Sequence, residues 1–194
     1  MEAAEFLIEG ERVALGPLRR DLAETYAQWL NSLAVRPGLS HLGILDRITE
    51  EAWLDEALKA NAAHEPSRVN FTIYARDDGE PVGTSALFDV NHHHARARFG
   101  ILLGERRGEG LGTEATRLTL DWAFHMLSLR NVLLEVLPWN AGAIRAYEKA
   151  GFRLIGRRRD ALLAHGRRWD ELYMDALASE FSGSVLADRL PAGE

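Results

Sequence analysis

Apolar residues alternate with polar ones in several short runs of this chain and recur every three or four positions in others, so the two periods divide it into strands and helices. "EFLIEGERVALGPL" reads as a strand, a tight turn and a second extended stretch. Pro17 stops that stretch before a helix from about Leu22 to Leu30, which Asp21 is placed to cap. "VRPGLSHLGILDR" breaks both periods and is a loop long enough to be functional. Thr49 heads a second helix to about Ala63, with Trp53, Leu54 and Leu58 on its inner stripe. "VNFTIYA", "EPVGTSALFDV" and "ARARFGILL" are three strands; "RDDG" carries an Asp-Gly hairpin signal and "NHHH" makes the second turn, which predicts an antiparallel meander. A helix from Thr113 to about Leu127 presents Leu118, Trp122 and Met126 on one face. "NVLLEV" is then a short buried strand, "NAGAIRAYEKAG" a helix ended by Gly151, and the remainder a hairpin turning near His165 and Gly166.

Strand, glycine-rich loop, helix and strand in succession form a crossover unit, which holds its two strands parallel. The expected fold is therefore α/β, a mixed and mostly antiparallel sheet of six or seven strands with helices on both faces. Residues 1–181 read as one domain, and 182–194, with "SGSVLADRLPAGE", as a tail or partner-binding segment.

Composition narrows the chemistry. With 194 residues, 46% of them hydrophobic, the chain supports one sizeable core. The absence of cysteine excludes disulfides, thiolate metal sites and a cysteine nucleophile. No apolar run approaches membrane-spanning length, and "MEAAEFLIEGER" has neither a basic nor an apolar leader region, so a cytoplasmic protein without a membrane partner is expected. A net charge of −6 argues against nucleic acid and for a cationic small molecule or peptide. Arg157, Arg158 and Arg159 are a local exception, read as solvated or paired side chains on a strand.

"RRGEGLGTEA" places Gly108, Gly110 and Gly112 at every second position before a helix. A phosphate-binding P-loop would need a lysine and a hydroxyl residue after the last glycine, whereas Thr113 and Glu114 follow. A dinucleotide fingerprint would need its third glycine at Thr113. Two readings stay open: a plain strand-to-helix turn, or an anion cradle made by the amides of Arg107 through Gly112 at the start of the helix.

The residues around this loop resemble the GNAT acetyltransferase superfamily. Its cofactor motif, Gln or Arg, two residues, Gly, one residue, then Gly or Ala, is matched by Arg107, Gly110 and Gly112. Its following motif is matched in "NAGAIRAYEKAGF" at Asn140, Ala143, Tyr147, Gly151 and Phe152, in family order and at a family-like separation. "GERVALGPLRRDL" is similar to the opening of the branch that holds ribosomal-protein N-terminal and spermidine acetyltransferases; the resemblance spans residues 8–178 and is strongest over 97–152. It implies an N-acetyltransferase that takes acetyl-CoA as donor, needs no metal and acetylates a primary amine, a small molecule or a protein N-terminus, by direct attack in a ternary complex. A catalytically silent acyl-CoA-binding module on the same fold is the alternative, and a homodimer is compatible with either.

The same resemblance implies site residues. Ile101, Leu102 and Leu103 would meet the pantetheine arm through their backbone; Arg107, Gly108, Gly110, Gly112 and Thr113 would hold the pyrophosphate; and Asn140 and Tyr147 would line a slot opened where "LLEVL" splays from "FGILL". Thioester aminolysis requires a neutral amine and a proton for the departing thiolate. Tyr147 stands where the family often places that acid, and Glu135 where the matching residue of ribosomal-protein alanine acetyltransferases is proposed as base, although a strand glutamate also pairs readily with arginine. Many members of the nearer branch carry Glu in place of Arg98. His92, His93 and His94 read as a solvated hairpin tip, because neighbours on a strand face opposite ways, and Trp53, Trp122 and Trp139 as core or rim.

Overall fold

A computed structural model describes residues 5–39, 43–164 and 166–189. The first strands, β1 (Ile8–Glu9) and β2 (Val13–Pro17), form a tight hairpin, and the meander follows as β3 (Val69–Ala75), β4 (Pro81–Asn91) and β5 (Arg96–Leu103). They join β6 (Asn131–Val136), β7 (Arg153–Ala164) and β8 (Arg167–Leu177) in one sheet of order β1-β2-β3-β4-β5-β6-β8-β7. Eight strands are present rather than six or seven, because the two-residue β1 pairs with Ala14 and Leu15 as an edge of its own. Every pairing is antiparallel except β5 with β6.

Strand alternation sorts the helices onto two faces. Phe71, Ile73, Phe99 and Val132 point to one side, into the main core with α3 (Leu111–Asp121) and the partly buried face of α4 (Ala141–Ala150). The opposite face of the sheet meets α1 (Ala23–Asn31) and α2 (Arg47–Asn61): Leu102 packs on the cluster built from Tyr26, Trp29 and Leu54, and Tyr26 Oη shares a hydrogen with Thr72 Oγ1 at 2.6 Å.

Helix boundaries depart from the sequence pattern at three places. Asp21 does not cap α1; it sits in a single 3-10 turn (Arg20–Leu22) with its carboxylate held by Arg19 at 2.9 and 2.5 Å, because the arginine two residues away satisfies it better than an amide. Asp46, not Thr49, caps α2, accepting from the Thr49 N–H at 2.7 Å, and Trp53 is 37% exposed while Leu54 is buried. After α3 the chain widens into a π turn (Trp122–Met126), and this rotates Met126 out of the apolar stripe so that it is exposed. The segment beyond 181 folds back: buried Asp121 accepts from the N–H of Val185 at 2.6 Å and from Ser184 Oγ at 2.5 Å, and Leu186 joins the core. His165, expected at the last hairpin tip, and residues 190–194 lie outside the described residues; Gly166 beside it adopts φ +74°.

Candidate active site

The parallel pair is short. Arg96, Ala97 and Arg98 face Asn131, Val132 and Leu133, after which β5 continues against β4 alone and β6 against β8. This fork leaves one edge of the β5 backbone without a strand partner from Phe99 onward. It opens a cavity of ≈ 360 Å³ between Ile101, Leu102 and Leu103 on one side and Asn140, Ala143 and Tyr147 on the other.

The glycine loop closes one end of this slot, with Arg107, Gly108, Gly110, Gly112 and Thr113 on its wall. Its glycines serve two purposes. Gly108 and Gly110 both sit at φ +87°, a left-handed conformation that costs a side chain but not glycine. Gly112 is needed for space, since a Cβ there would come within 3.1 Å of Leu103 Cδ1, where α3 presses on β5. The turn is anchored from outside the slot: Arg106 grips Asp77 at 2.7 and 3.0 Å, and Arg12 donates to the Glu109 carbonyl at 2.6 Å. Arg107 donates to the Ala34 carbonyl and so ties the loop to the segment after α1. Gly110 begins α3, so the positive end of the helix macrodipole faces the cavity.

On the far wall, Asn140 caps α4 by accepting from the Ala143 N–H at 3.3 Å, and Gly151 at φ +111° ends it. Tyr147 lies two turns beyond Asn140, its ring edge-to-face with Phe99 at 6.1 Å and Phe152 at 6.0 Å. Burial pushes its phenol up to about 12. Burial is the sole cause of that shift, and no hydrogen bond to the hydroxyl is formed among the described residues.

A second cavity of ≈ 330 Å³ adjoins the first, and Gly38, Asn140 and Tyr147 line both. The two differ in charge. Among the described residues the slot has Arg107, Arg145 and Lys149 on its walls and no carboxylate, whereas the second cavity has Glu135 and Glu171 with Arg98 as its single cation. Arg98 stands at the fork, its guanidinium donating to Glu135 Oε2 and, at 3.1 Å, to Asp89, and lying 5.0 Å above the Phe88 ring. Those bonds, Glu135 first, hold it more firmly protonated than an ordinary arginine. The segment after α1 roofs this end: Pro37 accepts from Trp139 Nε1 at 2.9 Å, and Asn31 brackets Leu45 at 2.5 and 3.1 Å.

All residues expected to hold the donor thus line one slot, and Tyr147 and Glu135 meet at the second cavity. Sequence reasoning missed Gly38, Arg145, Lys149 and Glu171. Arg145 and Lys149 are four residues apart and so share a face of α4, which a charge count along that helix shows; Gly38 and Glu171 belong to no motif. The histidines form the β4–β5 turn, where His92 Nε2 contacts the Pro66 carbonyl at 3.0 Å, and Arg157 pairs with Asp170 at 3.5 Å on an exposed strand. Among the described residues no helix is long and apolar enough to cross a membrane.

The sheet thus forks at the parallel β5–β6 pair, and a left-handed glycine turn feeds α3 beside the fork. The chain belongs to the GNAT acetyltransferase family, whose domain profile matches residues 12–153. It is similar to the spermidine N(1)-acetyltransferase of Escherichia coli K12, with 38% identity over 94 residues, 48% of this chain and 50% of that protein. The chain spans about half the length of that protein and of a probable N-acetyltransferase of Bacillus subtilis that it also matches. In fold it is similar to the spermidine N-acetyltransferase of Vibrio cholerae solved with CoA and spermine, at 21% identity and a TM-score of 0.79 over 89% of this chain and 99% of that one. It also resembles Mycobacterium smegmatis RimJ solved with CoA-disulfide, at 24% identity and a TM-score of 0.77 over 91% and 88% of the two chains.

Proposed function

We propose that the protein transfers an acetyl group from acetyl-CoA to an amine in a ternary complex. The observation that carries this reading is the pair of oppositely charged cavities joined at Tyr147. The polyanionic donor suits the slot of three cations, a helix N-terminus and a wall free of carboxylates, and an amine acceptor suits the cavity with two glutamates. Gly108, Gly110 and Arg107 would hold the pyrophosphate, the unpaired β5 edge at Ile101 to Leu103 the amides of the pantetheine arm, and Arg145 and Lys149 the outer phosphate. When bound, acetyl-CoA supplies the thioester carbonyl that an amine attacks.

Tyr147 keeps its proton at neutral pH, being raised to about 12, and stands between the cavities as the acid for the departing sulfur. Glu135 takes the proton of the attacking nitrogen, directly or through water, at Oε1, the oxygen Arg98 leaves free. The resemblance to a named spermidine acetyltransferase and to a putative ribosomal N-acetyltransferase of Bacillus subtilis supports an amine acceptor of either size.

Calorimetry with acetyl-CoA and release of free CoA thiol across an amine panel test this function. Acetyl-CoA at a hundred times its Kd adds about 2.7 kcal/mol to stability, a clear rise in Tm. Gly110→Asp should remove that rise: a side chain strains the turn at φ +87°, and its Cβ, 3.7 Å from Arg12 Nη1, sets a carboxylate on the loop expected to hold the pyrophosphate. A Tm unmoved by millimolar acetyl-CoA, or a Gly110→Asp protein that binds it normally, defeats the reading.

A further inference from the structure

We propose that Glu171 is the group by which this site recognises its acceptor, selecting an amine that keeps a positive charge beyond its reacting nitrogen and carries no carboxylate near it. The inference rests on the acetyltransferase reading and adds the class of acceptor.

Trp169, Glu171 and Tyr173 alternate along β8, and the pairing of Glu135 with Tyr173 puts them on the sheet face that bears Arg98 and Glu135. Glu171 is then the diagonal cross-strand neighbour of Glu135, about 7–8 Å from it between Cα atoms. Both carboxylates line the second cavity, but their charges are disposed differently. Glu135 is committed through Oε2 to the Arg98 guanidinium. Glu171 has only a neutral partner, the Tyr173 phenol, which donates to Oε2 at 3.1 Å, and it forms no ion pair among the described residues. Arg158 of β7 stands opposite it in register and acts on the Tyr173 phenol, but forms no ion pair with Glu171 among the described residues. The Tyr173 phenol is itself raised by burial and by Glu171, so it remains a donor and cannot cancel that charge.

Arg98 completes the selection. Among the described residues it is the one cation lining this cavity, and Glu135 and Asp89 already share its charge, with the buried Nε left unpartnered. An acceptor carboxylate would meet a glutamate that has no ion pair, beside an arginine already shared by two carboxylates. A second ammonium would meet the same glutamate as its counterion.

Three probes of equal chain length separate these effects: 1,4-diaminobutane, n-butylamine and 4-aminobutyrate. Wild-type protein is expected to use them in that order of kcat/KM. A hydrogen-bonded charge contact is worth roughly ten- to hundred-fold, so Glu171→Gln should reduce the preference for diaminobutane over aminobutyrate by about that factor. The loss should fall on KM rather than kcat, with the Kd of acetyl-CoA held and partial recovery in Glu171→Asp. An unchanged preference in Glu171→Gln, or a loss confined to kcat, overturns the proposal while leaving the acetyltransferase reading intact. Should wild type acetylate none of the three, titration of diaminobutane into the protein saturated with CoA decides. Binding lost in Glu171→Gln sustains the proposal, and no binding to wild type refutes it together with the assigned acceptor cavity.

Discussion

Tyr147→Phe separates catalysis from stability because of where the hydroxyl sits. Phenylalanine preserves the edge-to-face contacts with Phe99 and Phe152, so packing of the ring is unchanged. Among the described residues nothing hydrogen-bonds the hydroxyl and burial alone shifts it, so its removal should move stability by under about 0.5 kcal/mol. The catalytic cost has another origin. A phenol raised to about 12 is fully protonated at neutral pH, yet a ground-state thioester sulfur accepts hydrogen bonds poorly, so the donor matters mainly as the sulfur becomes thiolate. Loss of a positioned acid typically costs 10²- to 10⁴-fold, about 3 to 5 kcal/mol of transition-state stabilisation. Steady-state thiol release should therefore show kcat and kcat/KM falling together, with Tm and calorimetric acetyl-CoA affinity close to wild type. Full kcat in the variant refutes the acid role. A loss accounted for wholly by weaker acetyl-CoA binding makes Tyr147 a positioning residue instead.

Two further predictions concern the scaffold. Glu50 is buried in α2, and burial raises its carboxyl from 4.5 to about 7, so the folded protein holds that proton more tightly than the unfolded chain. Its contribution is fully present below pH 4.5 and lost as pH rises through 7, by up to about 3 kcal/mol. Glu50→Gln should accordingly match wild type in urea melts at pH 4 and exceed it at pH 8, whereas parallel pH profiles would show that Glu50 is solvated. Gly104 ends β5 under the Trp29 indole, where a Cβ would lie 2.1 Å from Cγ, so Gly104→Ala should cost about 1–3 kcal/mol, lower the Tm and shift indole fluorescence. A wild-type Tm in that variant would mean the α1 contact yields freely.

Local signals carried much of this molecule. The Asp-Gly turn, the alternating runs and the spacing of Asn140, Ala143, Tyr147 and Gly151 along one helix are properties of neighbouring residues, and they appear as hairpin, strands and capped helix. Boundaries were less legible, since caps are competitions: Arg19 took Asp21 from α1, and Asp46 took the end of α2 from Thr49. Only the tertiary structure decided the electrostatics of the site. Arg98 and Glu135 are 37 residues apart, and Glu171 belongs to no motif. They converge because β6 pairs with β5 on one side for three residues and with β8 on the other for six. Periodicity along one strand specifies which face a side chain takes, but which strand lies beside it, and so which charges cancel and which remain, follows from long-range pairing.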